Sequence, residues 1–282
     1  MQIVDAQVHV WSTNTPDRPW PPGYKPHRPV PLTPSLLLEE MNAAGVDCAV
    51  LVPSQMENYR NDRALEGACA HPDRLTVMGR LDLLLPEARA SIAAWCNQPG
   101  MRGLRCSFIE TLWGSAVAEG RMDWFWPEAE KAGMPIMLMM HHDQLHMVDK
   151  VAQRYPACKL TLDHLALDSS KRDDDAFRDL DKLLALAKRP NIMVKVSALP
   201  TYTTDSYPFR RLHPYVRRVY DAFGPARMFW GTDLSRLTCS YRQAVTMFTE
   251  EMDWLSATDK EWIMGRGICE WLGWNPGKNH VE

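Results

Sequence analysis

The chain opens on Ile3-Val4-Asp5-Ala6-Gln7-Val8-His9-Val10-Trp11. An apolar run with polar residues at every second position reads as a strand, because side chains alternate faces with period two. Asp5, Gln7 and His9 are therefore expected on one face, with Asp5 deepest and structural. Three polar groups on one face of a buried strand are costly unless each is bonded or used. Beyond Trp11 the chain enters a loop over about 11–32, including TPDRPWPPGYKPHRPVP. Its prolines bar it from helix and inner strand. A loop of that length is either a surface wrap or a lid.

Seven more apolar runs follow: VDCAVLVP from Val46, LTVMGRLDL from Leu75, MRGLRCSF from Met101, PIMLMMH from Pro135, CKLTLDHL from Cys158, NIMVKVSA from Asn191 and RMFWGTD from Arg227. Helical stretches separate them. The first is marked by Thr33 as N-cap, Pro34 at the first position and Gly45 as stop. Others are expected near 58–70, 86–96, 123–132, 144–155, 173–187 and 209–222, with two more near 240–255 and 258–272. Eight short strands alternating with helices argue for parallel βαβ units. Eight right-handed crossovers close into a (β/α)8 TIM-type barrel. The expectation is a single domain over 1–282, with an extra helix at its C-terminal end. The alternative, an open doubly wound sheet, would usually carry a Gly-rich phosphate turn, and neither GxGxxG nor GxxxxGK occurs.

The 282 residues carry a formal net charge of −3, from 32 basic and 35 acidic side chains. No basic block stands out, so nucleic acid and anionic membranes are not expected partners. No apolar run approaches the roughly 18 residues of a membrane span. Without a basic, apolar leader the chain is expected in the cytoplasm. Its seven cysteines form no CxxC pair and are expected as reduced thiols.

In such a barrel the chemistry lies at the C-terminal ends of the strands. There the sequence sets Gln7 and His9; Arg80 and Asp82; Arg102 and Arg105; His141 and His142; Asp163 and His164; Lys195 and Ser197; and Asp233, Ser235 and Arg236. Four histidines at these strand ends, converging on one end of the barrel, point to a site. Which of His141 and His142 faces it stays open. Asp163 is expected on the face opposite His164, in a structural role. Lys195 reads either as a pocket cation or as the partner of a neighbouring carboxylate. Trp11, Trp20, Trp113 and Trp230 are placed to line a wall.

The VDAQVHVW start, MRGLRCSF, LTLDHLAL, NIMVKVSAL, RMFWGTD and the closing IMGRGICEWLGW together resemble the amidohydrolase superfamily. Within it they are similar to the amidohydrolase-2 group, which holds lactonases of sugar acids and of pyrone dicarboxylate. That resemblance implies a first strand reading D-x-H-x-H with two metal-binding histidines. Here Gln7 stands at the first, and an amide is a poor zinc ligand beside imidazole. If a divalent transition metal (Zn, Mn or Fe) is bound, the resemblance implies His9, His141, His164 and Asp233 as ligands. The reading preferred here has no cofactor. Asp233 serves as general base on water. His164, with His9 or His141, donates to the developing oxyanion. Arg80, Arg105 or Arg236 clamps a substrate carboxylate. Gln7 donates its amide to water or substrate, and Ser197 shares the substrate face.

The expected function is thus hydrolysis of a lactone or related cyclic ester of a carboxylate-bearing small molecule. Two alternatives stand beside it. One is a metal-dependent decarboxylase or oxygenase on the same scaffold. The other is a degenerate, non-catalytic subunit of a heteromeric enzyme. A small-molecule substrate is the expected partner, with homo- or hetero-oligomers both open.

Overall fold

The computed structural model describes residues 1–109 and 111–277, the side chains of 111–113 excepted. All eight expected strands form: β1 (Val4–Val8), β2 (Cys48–Leu51), β3 (Leu75–Gly79), β4 (Met101–Ser107), β5 (Pro135–Met139), β6 (Lys159–Leu162), β7 (Ile192–Ser197) and β8 (Met228–Gly231). They pair in parallel, in sequence order, in one eight-stranded sheet. At the seam, the Asp233 amide donates to the Gln7 carbonyl at 2.8 Å. Gly231 permits this approach, since a Cβ there would stand 3.1 Å from the Gln7 nitrogen. The result is a nearly closed (β/α)8 barrel.

The first helix, Pro34–Ala44, begins and ends at the expected signals: Thr33 accepts from the Leu36 amide, and Gly45 is left-handed at φ 77°. The helix Thr111–Ala118 has no counterpart among the expected elements. The expected helix at 173–187 is broken into Asp173–Ala176, Leu180–Leu184 and a 3₁₀ turn.

Two apolar clusters divide the core. One fills the layer between sheet and helices. The other joins Val4, Ala6, Val50, Met78, Met137 and Phe229 with Ile268 of the last helix, Gly267–Leu272. These side chains plug the barrel from within, the larger ones contributing roughly 1.5–3 kcal/mol each on burial. The site can then sit only at the opposite, open end. All seven cysteines are free thiols. Among the described residues no helix is long and apolar enough to cross a membrane.

The faces of β1 differ from expectation. Val4 and Ala6 point into the barrel. Asp5 instead accepts from the Thr232 amide and hydroxyl and from Tyr241 of the outer helix Tyr241–Thr246. A register shift lies between Asp5, opposite Ala49, and Val8, opposite Leu51. Three steps on β1 match two on β2, a bulge that reverses the alternation. Gln7 and His9 are thereby turned inward while Asp5 stays outside.

Candidate active site

At the open end, three strand termini leave extended geometry in the same way. His164, Ala198 and Asp233 follow β6, β7 and β8 in left-handed backbone, with φ of 51°, 57° and 50°. Non-glycine residues seldom adopt it, and it concentrates at functional sites. Its effect is plain on β6. Leu160 and Leu162 face the helices. Asp163 therefore follows the alternation inward, and the left-handed turn brings His164 in beside it. The expected opposition of Asp163 and His164 is thus corrected: both face the interior.

His9, His164 and Asp233 meet there. His9 Nε2 is 3.2 Å from Asp233 Oδ1, and His164 Nε2 is 3.7 Å from Oδ2. Arg236 reaches Oδ2 at 3.3 Å. Burial raises the Asp233 carboxyl, but His9, His164 and Arg236 outweigh it and hold the group well below the usual carboxylate range. Oδ1 receives no well-directed hydrogen bond from any described residue. His9 Nδ1 lies 2.7 Å from the Val52 carbonyl, which only accepts, so the proton is on Nδ1 and Nε2 is the working nitrogen.

Burial pushes His164 down to about 4, so its ring is neutral at pH 7. Its Nδ1 pairs with Ser197 Oγ at 2.8 Å. The nearby Asp233 carboxylate favours the proton on Nε2, which makes the Ser197 hydroxyl the donor to Nδ1. His164 thus presents an N–H to whatever lies against Asp233.

Behind these groups runs a buried ionic network. Lys195 Nζ is 2.6 Å from Asp163 Oδ1, and Arg105 Nε is 3.2 Å from Oδ2. Burial raises the Asp163 carboxyl, and Lys195 and Arg105 reverse this, leaving it lowered. Lys195 also donates to Gln7 Oε1.

A cavity of about 170 Å³ opens over Asp233, His9 and His164, lined also by Arg105, Ser235 and Arg236. Arg105 and Arg236 thus stand where expected. Gln7 and Ser197 do not line the cavity; both are fully buried behind its wall, bonded to Lys195 and His164. Arg80 is also held apart, its guanidinium 5.6 Å from the centre of the Tyr59 ring. His141 is not brought to Asp233. The fifth strand ends at Met139, which takes the lining position, and His141 and His142 border a neighbouring cavity with Asp168, Lys171 and Asp179. Trp11 lines the site, whereas Trp230 packs outside, its indole donating to Ala244. Trp20 donates to the Ser12 carbonyl. The Trp113 side chain lies outside the described residues.

Two parts of the wall were not read from the sequence. Tyr24, Lys25 and His27 come from the Pro-rich loop, which therefore forms part of the cavity wall. Ser54, Gln55 and Met56 come from the end of β2. Polar Ser54 and Gln55 directly after an apolar strand were the available signal.

Residues 4–268 match the family described as Amidohydrolase. The L-fucono-1,5-lactonase of Burkholderia ambifaria is 28% identical over 253 residues, 83% of this chain and 81% of that protein. Among solved structures, an amidohydrolase from Burkholderia multivorans with bound Zn superposes with a TM-score of 0.80 at 22% identity, covering 98% of this chain and all, 100%, of that one. A probable 2-pyrone-4,6-dicarboxylic acid hydrolase from Acinetobacter baumannii, with citric acid bound, gives a TM-score of 0.75 at 17% identity, covering 97% of this chain and 100% of that one. At such identities the structural likeness speaks for the fold.

The residues of this chain do not fit a zinc centre of the D-x-H-x-H kind. The oxygen of Gln7 is taken by Lys195. A buried ammonium at that point opposes a divalent ion. Among the described residues, no group of three His, Cys, Asp or Glu side chains is arranged to hold a metal.

Proposed function

The chain belongs to the amidohydrolase family, and on that premise we propose that it opens the ring of a small carboxylate-bearing lactone, using side chains alone. The observation that carries this reading is the meeting of His9, His164 and Asp233 under a cavity whose other charged groups are Lys25, Arg105 and Arg236. Asp233 is the one carboxylate among the described lining residues, so an anionic substrate meets mostly opposite charge. The lactonase relatives support ring opening as the reaction.

In this mechanism a water lies against Asp233 Oδ1. Asp233 takes its proton as the oxygen attacks the lactone carbonyl. A carboxylate held so low is a weak base by itself; His9 Nε2, 3.2 Å away, accepts the proton onward. The carbonyl oxygen becomes an oxyanion and accepts from His164 Nε2–H. When the tetrahedral centre collapses, the bond to the ring oxygen breaks. The proton held by the Asp233–His9 pair goes to that oxygen, and the product is a hydroxy acid. An alkoxide leaves more readily than an amine, so the ester reaction needs less electrophilic help than amide hydrolysis.

The test is turnover of a panel of five- and six-membered lactones, with and without a carboxylate. Asp233→Asn should lower kcat by about 10³ with the fold unchanged. Wild-type protein stripped of metal by chelation should keep its activity. Near wild-type turnover by the Asn variant would overturn the assignment.

A further inference from the structure

Lys195 lies inside β7 and is wholly buried. Burying an ammonium is costly unless every proton finds a partner. Here Nζ meets Asp163 Oδ1 at 2.6 Å, Gln7 Oε1, and the Met137 sulfur at 3.2 Å. An ammonium has donors only, so it dictates which end of the Gln7 amide faces it. The oxygen turns to Lys195. The NH2 group is left facing His9 Nε2, at 3.4 Å. On its other side, Asp163 receives Arg105, whose guanidinium lines the cavity. A lysine needed only to balance Asp163 would have no use for Gln7, and Arg105 already supplies one opposite charge.

We propose that Lys195 is the positioning residue of this site, the internal cation that turns the Gln7 amide toward His9 and, through Asp163, holds Arg105 toward the substrate. The kinetic part of this inference rests on the lactone-opening reading; the geometric part does not.

The geometric part is read by NMR. The side-chain amide protons of Gln7, assigned by their absence in Gln7→Met, should exchange with solvent at least about tenfold faster in Lys195→Met than in the wild type. Unchanged exchange would overturn the proposal whatever reaction the protein catalyses. The kinetic part is a double-mutant cycle. Lys195→Met and Gln7→Met should each lower kcat about 100-fold. The double variant should fall no more than about threefold further, because the two act as a unit. Additive losses would show that Lys195 does not act through Gln7.

A third variant separates positioning from charge balance. Asp163→Asn with Lys195→Met leaves the net charge unchanged, and Arg105, which loses its carboxylate partner, still opens onto the cavity. This pair should fold as the wild type does and stay inactive. Recovered activity would make Lys195 a counter-charge only. If Lys195→Met alone does not fold, this pair replaces it in the exchange measurement. Activity persisting in Asp233→Asn would overturn the lactone mechanism and leave the exchange result standing.

Discussion

His9 Nε2 stands 3.2 Å from Asp233 Oδ1, while Nδ1 of the same ring is tied to the Val52 carbonyl at 2.7 Å. The backbone of β2's far end thus fixes the tautomer, and one nitrogen is free for proton traffic with the carboxylate. His9→Gln keeps a polar group of similar reach and cannot accept and return a proton. It should lower kcat about 100-fold and change KM less than about threefold. Steady-state kinetics on a confirmed lactone decide this. A rise in KM at constant kcat would show His9 to be a binding group.

Two buried groups of the barrel, the His164 imidazole and the Asp5 carboxyl, act on stability in opposite senses. His164 is pushed down to about 4 by burial, so the unfolded chain binds its proton first as pH falls below about 6.5. Its contribution is complete above that pH and is lost down to about 4, a loss of roughly 3 kcal/mol. Asp5, raised to about 6 by burial, contributes below its ordinary range and loses that contribution as pH rises through about 6. The His164 effect is therefore isolated by difference. Unfolding free energies of wild type and His164→Gln, measured by urea from pH 7 to 4, should converge as pH falls. Parallel curves would mean that His164 is not held neutral.

Much of the barrel can be read from sequence because each strand is a short apolar run bounded by its own stop signals. The strand ends also name His9, His164, Asp233, Arg105 and Arg236 in advance. What stays hidden is local backbone. A period-two reading cannot foresee the bulge that sends Asp5 outward. Nor can it foresee the positive φ that swings His164 inward beside Asp163. His141 illustrates the cost of a boundary error: with β5 ending at Met139, two residues suffice to move it into another cavity. The wall residues of the loop escape for a different reason, since a Pro-rich loop has no periodicity to read.

Arg105 and Arg236 share the cavity but not their anchoring. Arg105 is bonded to Asp163 and is 5% exposed, whereas Arg236 touches Asp233 itself. Arg105→Lys keeps the charge and loses the planar fork, which should raise KM for a carboxylated lactone about 10- to 100-fold. The same change should leave an uncharged lactone nearly unaffected. Arg236→Gln should instead act on kcat for both substrates, because it releases part of the field that keeps Asp233 ionised. Comparing the charged and uncharged substrates in both variants checks the assignment. An equal loss on both substrates for Arg105→Lys would remove it from carboxylate recognition.

The Pro-rich loop is held at its base by Glu57. This carboxylate is 2% exposed and accepts from the Ser12 amide at 2.6 Å and from Arg18 Nε at 2.8 Å. Arg18 also spans to Asp62, and Arg28 pairs with Glu40 at the loop's other end. Glu57→Gln keeps the shape and one acceptor oxygen but removes one of the two counter-charges of the half-buried Arg18 guanidinium, leaving Asp62. A loss of about 1–3 kcal/mol follows from such a change. The loop carries Tyr24, Lys25 and His27 over the site, so loosening its base should raise KM about tenfold with a smaller effect on kcat. Proteolysis gives an independent reading. Lys25 and Arg28 are each followed by proline and resist trypsin, but the bond after Tyr24 is open to chymotrypsin. Cleavage there should be several-fold faster in Glu57→Gln and slowed in wild type by a bound carboxylated lactone. Equal rates in the two proteins would show that the loop is a fixed wrap rather than a lid.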